Sequence, residues 1–376
     1  MNKQVFVHLC TWFQTKEVSN EWKMWNSDYF ESPHNPDIIR YDKKRDIATT
    51  SYPLIGVYDS SDSFLIEYQF QLMVLAGIDG VIVDWDGRSI NPERHLMFLK
   101  ILPFLNKYKL KLIVCFEEWC GYYPKDTNLN RAEEVSKALA ELEWLNTNVI
   151  EKSYYATLDG SSPVYVFRKV ADSMFNSLEW NYIKNNLSNK NIEFYFNDCY
   201  TDELNNCSDG YFFWVGGFDK NNSNSLDFLK NELDCFRKKA YEKKRRNKVI
   251  MSVVPGFDDT PVWGWGETPR IAPRYNGKRY SLMWESIIRE NDNTVQIVTF
   301  NDWNEGSQIE PSVENGFKYL NLTRKYISIF KNIEEKEYDF NLALTYYKER
   351  KEINFSLSSS NKEEELTKIL RKEKRT

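Results

Sequence analysis

The sequence predicts an α/β protein built as a single (β/α)8 TIM barrel, a closed ring of eight parallel strands each followed by a helix. Three observations carry this. Strand-like apolar runs alternate with helical patterns along most of the 376 residues, which implies a parallel sheet with right-handed crossovers. The runs are continuously apolar, as strands are when both faces are covered. Polar and aromatic side chains appear at nearly every run's C-terminal end, the rim where a barrel gathers its loops. No GxGxxG and no P-loop follows any run, so a doubly wound nucleotide-binding sheet fits less well.

Val5 to Leu9 reads as the first buried strand, with His8, Thr11 and Trp12 near its tip. Residues 14–50 read as a long polar loop containing Trp22, Trp25 and Tyr29. Pro53 to Val57 reads as the second strand, opening into Tyr58 and Asp59. Asp62 or Ser63 suits the N-cap of a helix from Phe64 to Leu75, whose apolar residues recur at helical spacing. Val81 to Val83 is the third strand, ending in Asp84-Trp85-Asp86, and a helix follows at 93–108. Lys111 to Phe116, tipped by Glu117-Glu118-Trp119, precedes a helix at 131–147.

Val164 to Phe167, Glu193 to Phe196 (tipped by Asn197 and Asp198) and Gly210 to Val215 continue the series. A helix from Ser225 to Lys244 ends in the basic run Lys243-Lys244-Arg245-Arg246, read as a solvated helix end. Val249 to Val254 leads into Pro255-Gly256-Phe257-Asp258-Asp259-Thr260. A Trp-, Gly- and Pro-rich loop over 262–278 and a helix at 280–289 come next. The last strand discharges into Phe300-Asn301-Asp302-Trp303-Asn304-Glu305, and a helix from Phe317 to Phe330 closes the barrel. The count is eight or nine strand-like runs. The barrel is assigned residues 1–332. Residues 333–376 are a charged helical extension, weakly helical at 342–351, whose last fifteen residues form a solvated helix or frayed tail.

The formal net charge of −5, with acids and bases well mixed, argues against a nucleic-acid or anionic-membrane partner. No apolar stretch approaches the 18 or so residues of a membrane span. The charged start runs directly into a strand without the apolar core of a signal peptide, so a cytoplasmic location is expected. Six cysteines show no CxxC or metal-finger spacing, which fits a reducing compartment. With 12 Trp and 23 Tyr, aromatic rings are plentiful enough to serve both as core and as stacking faces for sugar rings.

There are only three His, and no reactive-Cys signature, so acid–base work falls to carboxylates. The strand-end candidates are Asp59, Asp84, Asp86, Glu117, Glu118, Asp198, Asp258, Asp259, Asp302, Glu305 and Glu310. Crowding and burial raise the pKa of one such acid beside an ionised partner, the pairing that glycoside cleavage needs. The same acids could hold Mg2+ or Ca2+, but carboxylates flanked by Trp suit sugar hydroxyls better than an all-oxygen cage. No metal or cofactor is expected.

Phe300 to Pro311 resembles the strand-eight signature of glycoside hydrolase family 99 and its relatives, a group of endo-α-1,2-mannosidases and mannanases with a looser circle of WbsX-like proteins of polysaccharide gene clusters. Tyr52 to Ser60, Gly77 to Trp85 and Pro255 to Thr260 resemble the same group in the same order, so the likeness spans roughly residues 5–330. The resemblance implies a (β/α)8 barrel, no required metal, an oligosaccharide or polysaccharide substrate of the α-linked mannan type, and retaining cleavage. By position it implies Glu305 as the acid/base and Asp302 as the carboxylate that assists the substrate 2-hydroxyl. The relatives resemble Asn-Glu-Trp-His-Glu-Gly here, whereas this chain has Asp302 for the first Glu and Asn304 for the His. Asp is one methylene shorter, and a misplacement of about an ångström can cost on the order of a hundredfold.

Further expected sugar contacts are His8, Trp12, Tyr58, Asp59, Asp84, Trp85, Glu117, Asp258, Arg274, Asn301, Trp303 and Glu310, with Trp303 as a ring-facing platform. For His8, Tyr58, Asp59, Trp85, Glu117 and Arg274 a packing or loop-pinning role is the alternative, and Trp263 and Trp265 are either a lid or an anchor for their loop. A WbsX-like biosynthetic enzyme or a catalytically inactive glycan-binding barrel are the competing functions.

Overall fold

A computed structural model describes residues 3–27, 34–118, 130–168, 175–218, 225–244, 246–352 and 366–370. Eight strands form one closed parallel barrel in which sequence neighbours are spatial neighbours. They are β1 (Gln4–His8), β2 (Gly80–Trp85), β3 (Lys111–Glu117), β4 (Ser162–Phe167), β5 (Ile192–Phe196), β6 (Gly210–Phe212), β7 (Val249–Val253) and β8 (Thr294–Ile297). The ring closes where β8 pairs with β1, Gln4 against Thr294 and Val7 against Ile297.

The outer layer comprises α1 (Ser63–Ala76), α2 (Pro92–Tyr108), α3 (Arg131–Leu145), α4 (Ser177–Asn186), α5 (Leu226–Lys243), α6 (Lys278–Glu290), α7 (Lys318–Lys331) and α8 (Asn341–Glu352). Only a short 3-10 turn, Asp202–Asn206, lies between β5 and β6. Local chemistry sets the helix starts. Asp62 caps α1 by accepting from Phe64 N, and Asn130 and Asn176 each open a capping box with the Glu three residues on.

The expected strand at 53–57 does not exist. A closed ring of eight leaves it no slot. Pro53 and Leu54 instead cross the rim and pair antiparallel with the segment after β8, Leu54 N donating to Pro311 O at 2.9 Å and Val313 N to Tyr52 O at 2.8 Å. The β1–α1 connection therefore runs from Leu9 to Asp62. Strand β6 stops at Phe212, and α3 ends at Leu145 in a π-helical turn over Asn146–Ile150. The basic run staples loops rather than only facing solvent: Lys243 donates to Cys199 O and Lys244 to Ser208 O, while Arg246 donates to Glu290 O. Leu366 and Leu370, in the stretch expected to be solvated, are buried. Helix α8 also docks on α1, through the Tyr347 ring on Tyr68, the Arg350–Glu67 pair and Lys351 with Asp62. Tyr29 and Trp119 lie outside the described residues.

Two cores result. The larger lies between strands and helices. The smaller fills the barrel's interior with Phe6, Ile82, Ile113, Cys115, Tyr165, Tyr195, Phe212 and Ile250. Gly80 and Gly210 make room for it, since a Cβ at Gly80 would lie 2.8 Å from the Phe6 ring and one at Gly210 would lie 2.3 Å from that of Tyr195. The interior is thus a packed plug, and anything that binds does so above it, at the strands' C-terminal ends. No described helix is long and apolar enough to cross a membrane.

Candidate active site

Strand alternation decides which tip residues face the cavity, because successive side chains point to opposite faces. Two residues beyond the plug come His8 on β1, Asp84 on β2, Glu117 on β3, Phe167 on β4 and Trp214 after β6, and they form the floor. Their sequence neighbours turn outward. Trp85 is fully buried outside the barrel, its indole N–H on His95 at 3.1 Å and its ring stacked on Trp144. Glu118 is clamped by Arg168 at 2.5 Å and by the Trp180 indole at 2.9 Å.

The floor is half aromatic and half acidic. Trp214 and Phe167 are partly exposed and meet edge to face at 5.2 Å, and His8 stands on Trp214 at 4.5 Å. Gln296 on β8 donates to Phe213 O, which turns its carbonyl oxygen toward His8 Nε2 at 3.1 Å. His8 Nδ1 has no hydrogen-bond partner among the described residues and lies 3.7 Å from Asp84 Oδ1. Burial pushes the Glu117 carboxyl well above its ordinary range, and the nearby Asp84 charge adds to this. Beside them Cys10 is buried, its thiol raised by burial first and then by Asp302 and Asp84.

The wall after β8 supplies the two leading carboxylates on one turn. Asp302 N donates to Thr299 Oγ1 at 2.8 Å, and Asp302 Oδ1 accepts from Glu305 N at 3.0 Å. Burial raises Asp302 to about 7 against the backbone N–H groups of Glu305 and Asn304, which favour its charge. Burial also lifts Glu305 well above the carboxylate range, with the Asp302 charge second, while Arg270 and the Trp265 indole oppose the shift. Glu305 Oε1 accepts from Trp265 Nε1 at 2.9 Å, and Glu305 O accepts from Asp258 N at 2.6 Å.

Trp265 sits on a tight turn where Trp263, Gly264, Trp265 and Gly266 all take left-handed backbone, at about 1–2 kcal/mol for each non-glycine residue. The turn is pinned at its base by Asp259, whose carbonyl accepts from Val262 and Gly264 and whose carboxylate is clamped by Arg270. The exposed ring of the turn is that of Trp263.

Several expected sugar contacts instead form the scaffold behind this wall. Trp303 is no ring-facing platform: it is fully buried, its N–H shared between Tyr58 Oη at 2.8 Å and Glu310 at 3.0 Å. Tyr58 Oη donates to Glu310 at 2.7 Å and accepts from Asn301, whose side chain also brackets Cys10 N and O. Glu310, raised by burial to about 7, accepts a further bond from Gln69. Asp59 is consumed by Thr15 N, Ser19 Oγ and Ser61 N. Arg274 pins the carbonyls of Gly306 and Gln308, and Asn304 those of Met24 and Ala48.

Of the remaining candidates, Asp258 stands half-buried beside Glu305, and Trp12 keeps a partly exposed ring under the Arg94 guanidinium at 4.3 Å. Trp214, Phe167, Gln296 and Cys10 escaped the sequence-based selection. Stepping by two along the β6 run from Phe212 reaches Trp214, so that signal was present. Among the described residues no cluster of three His, Cys, Asp or Glu has the arrangement of a metal site. The site thus combines buried, proton-holding carboxylates with an aromatic floor, an arrangement that can protonate a leaving oxygen and activate a hydroxyl on a bound ring.

Comparison with known proteins agrees with the barrel fold. The family model described as Glycosyl hydrolase family 99 matches residues 168–346. The chain is 24% identical over 362 residues to the glycoprotein endo-alpha-1,2-mannosidase of Mus musculus, covering 85% of this chain and 73% of that protein. It is 22% identical over 367 residues to a glycoprotein endo-alpha-1,2-mannosidase-like protein of Danio rerio, covering 88% and 79%. The solved GH99 endo-alpha-mannosidase of Bacteroides thetaiotaomicron shares the fold with a TM-score of 0.64 and 21% identity, covering 88% of this chain and 98% of that one.

Proposed function

We propose, from the premise that this chain is a glycosidase of the family 99-like group, that it cleaves an α-linked mannan-type glycan with retention, Glu305 serving as acid/base and Asp302 assisting the substrate 2-hydroxyl. The observation that carries this reading is the single turn on which Asp302 and Glu305 stand, joined by the 3.0 Å bond from Glu305 N, with Asp302 buried and Glu305 half-buried above an aromatic floor. Burial favours the protonated form of Glu305, which suits it to give a proton to the glycosidic oxygen. Asp302, poised at about 7, is ionised in a large fraction of molecules at neutral pH and can take the proton of the 2-hydroxyl. Attack of that oxygen on the anomeric carbon closes a 1,2-anhydro sugar as the leaving group departs. Water then opens it, giving a proton to Glu305 as the C1–O2 bond breaks and Asp302 returns its proton to O2, and two inversions give net retention. Trp214 and Phe167 present their rings to an apolar sugar face, and Asp84 and Glu117 accept from its hydroxyls.

The test is a screen of the purified protein against α-mannan and α-glucan fragments, with products resolved by size and anomeric configuration. Retained α-mannose products, lost in Glu305→Gln, are expected. Inverted products would overturn the mechanism, cleavage of glucans alone would overturn the substrate, and undiminished turnover by Glu305→Gln would overturn the assignment of the acid.

A further inference from the structure

The turn that carries Trp265 holds Glu305 from two directions. Asp258 N, at the turn's entrance, donates to the Glu305 carbonyl at 2.6 Å, and the Trp265 indole donates to Glu305 Oε1 at 2.9 Å. The chain does not reach this arrangement by default. Trp263 and Trp265 both have φ above +50°, and the turn is closed by Val262 N and Gly264 N on Asp259 O. Gly264 passes close enough to Pro269 that a Cβ would lie 2.9 Å from its nitrogen. Asp259, itself fully buried, is locked by Arg270 through Nε at 2.9 Å and Nη2 at 2.7 Å. A mere anchor ring could be aimed at any apolar surface. Here an indole N–H, a donor that can never accept, is aimed at one oxygen of one carboxyl.

We infer that Trp265 is a positioning residue for the reaction: its indole N–H occupies Oε1 of Glu305 and so confines the transferable proton to Oε2. The inference rests on Glu305 being the acid/base. In a protonated carboxyl the carbonyl-like oxygen is the better acceptor and the hydroxyl oxygen carries the donor. An N–H fixed on Oε1 therefore leaves the proton on Oε2. During cleavage the Oε2–H bond breaks and an O–H bond forms on the leaving oxygen, which takes the electron pair of its bond to the anomeric carbon. The indole N–H is untouched and now stabilises the carboxylate. When water attacks, its proton returns to Oε2. One oxygen then serves both steps, and the carboxyl does not rotate between them.

The charged groups around Glu305 include Asp302 on its own turn, Asp258, Asp259 and Arg270 from the 258–272 segment, and, across the cavity, Glu117 on β3. None of these is altered in Trp265→Phe, which keeps a ring and removes the N–H. The expected result is a kcat lower by about 10- to 100-fold, the loss of one hydrogen bond to a charged group. KM should stay within about threefold, and the alkaline limb of kcat/KM should move to higher pH, since the carboxylate has lost a donor that favoured it. Trp265→His, which retains a ring N–H, should recover part of the rate.

A second measurement needs no substrate. In the 15N-labelled protein the Trp265 indole resonance, identified by its absence from Trp265→Phe or from a folded Trp265→His, should shift with pH in wild type and stay flat in Glu305→Gln. Unchanged kcat and alkaline limb in Trp265→Phe, or an indole resonance indifferent to Glu305→Gln, would overturn the inference. If no α-mannan fragment is cleaved while the resonance still follows Glu305, the hydrogen bond stands and the assigned reaction falls.

Discussion

Replacing Asp302 by Asn should stop turnover and stabilise the protein, and the gain should depend on pH in a calculable way. Burial raises the folded-state pKa of Asp302 from the ordinary 3.8 to about 7. That displacement of about three units is worth roughly 4 kcal/mol at 1.36 kcal/mol per unit. Because the folded pKa is raised, the fold binds this proton more tightly than the unfolded chain does. The penalty is absent below pH 3.8, grows as pH rises through the window, and is complete above about 7. Asn has no titratable proton and escapes the penalty at every pH, while its carbonyl can keep the N–H of Glu305 that Asp302 Oδ1 now accepts. A constant offset of about 1 kcal/mol for the imperfect fit of the NH2 group does not affect the slope. The stability of Asp302→Asn relative to wild type should therefore be roughly 2–3 kcal/mol greater at pH 8 than at pH 5. Urea midpoints at unit pH steps, with m held equal, measure it. A difference that is flat across pH 5–8, or that narrows toward pH 8, would refute the assignment of Asp302 as a buried carboxyl held near neutrality.

Three other substitutions separate scaffold from site. Tyr58→Phe removes the hydroxyl shared by Glu310, Trp303 and Asn301, each of which keeps another partner; it should cost roughly 1–3 kcal/mol in urea titrations while leaving KM within about threefold. Trp214→Ala should do the reverse in kinetics, raising KM by about five- to tenfold as the aromatic floor is lost, and an unchanged KM would remove Trp214 from the binding surface. Glu118→Gln leaves Arg168 buried without its 2.5 Å partner charge, so unfolding should become easier by roughly 3–5 kcal/mol, with the kcat of the folded fraction unaltered.

The barrel was legible in the sequence because its signals are local and repeated. Apolar runs, caps such as Asn130 with Glu133, and helical spacing each depend on neighbours within a few residues. The false strand at 53–57 shows the boundary of such reasoning. Its apolar content is strand-like, but whether it joins the ring depends on closure between β1 and β8, a contact between residues nearly 300 positions apart. Leu366 and Leu370 fail for the same reason, since their burial depends on a surface made elsewhere.

Within the site, position along the chain was a good guide to the rim and a poor one to direction. Asp84 and Trp85 are adjacent, yet one faces the cavity and the other packs against Trp144. Period-two counting from the plug residues Ile82 and Phe212 would have separated them and found Trp214. No local pattern reveals that Trp265 reaches Glu305, because that contact depends on successive left-handed residues and the Asp259–Arg270 clamp.

The segment from Asn301 to Glu310 concentrates both jobs in ten residues. Asn301, Trp303, Asn304 and Glu310 turn back and spend their polar atoms on Cys10, Tyr58, Met24, Ala48 and Gln69. Asp302 and Glu305 turn forward. The shorter side chain at 302 makes sense in that setting. An Asp can accept an N–H from three residues on in its own turn, and here it does so at 3.0 Å from Glu305. The bond fixes the carboxylate in place and couples it to its partner, where a longer side chain would reach farther and be held less firmly. What is lost is about one methylene of reach, so in the proposed reaction the sugar would have to approach the turn more closely than a Glu would require. Trp265 on Glu305 and Trp214 on the floor are among the residues that border the space through which it would approach. They are also the two aromatic groups whose removal is expected to change kcat and KM separately, which makes the pair a direct measure of how the missing methylene is offset.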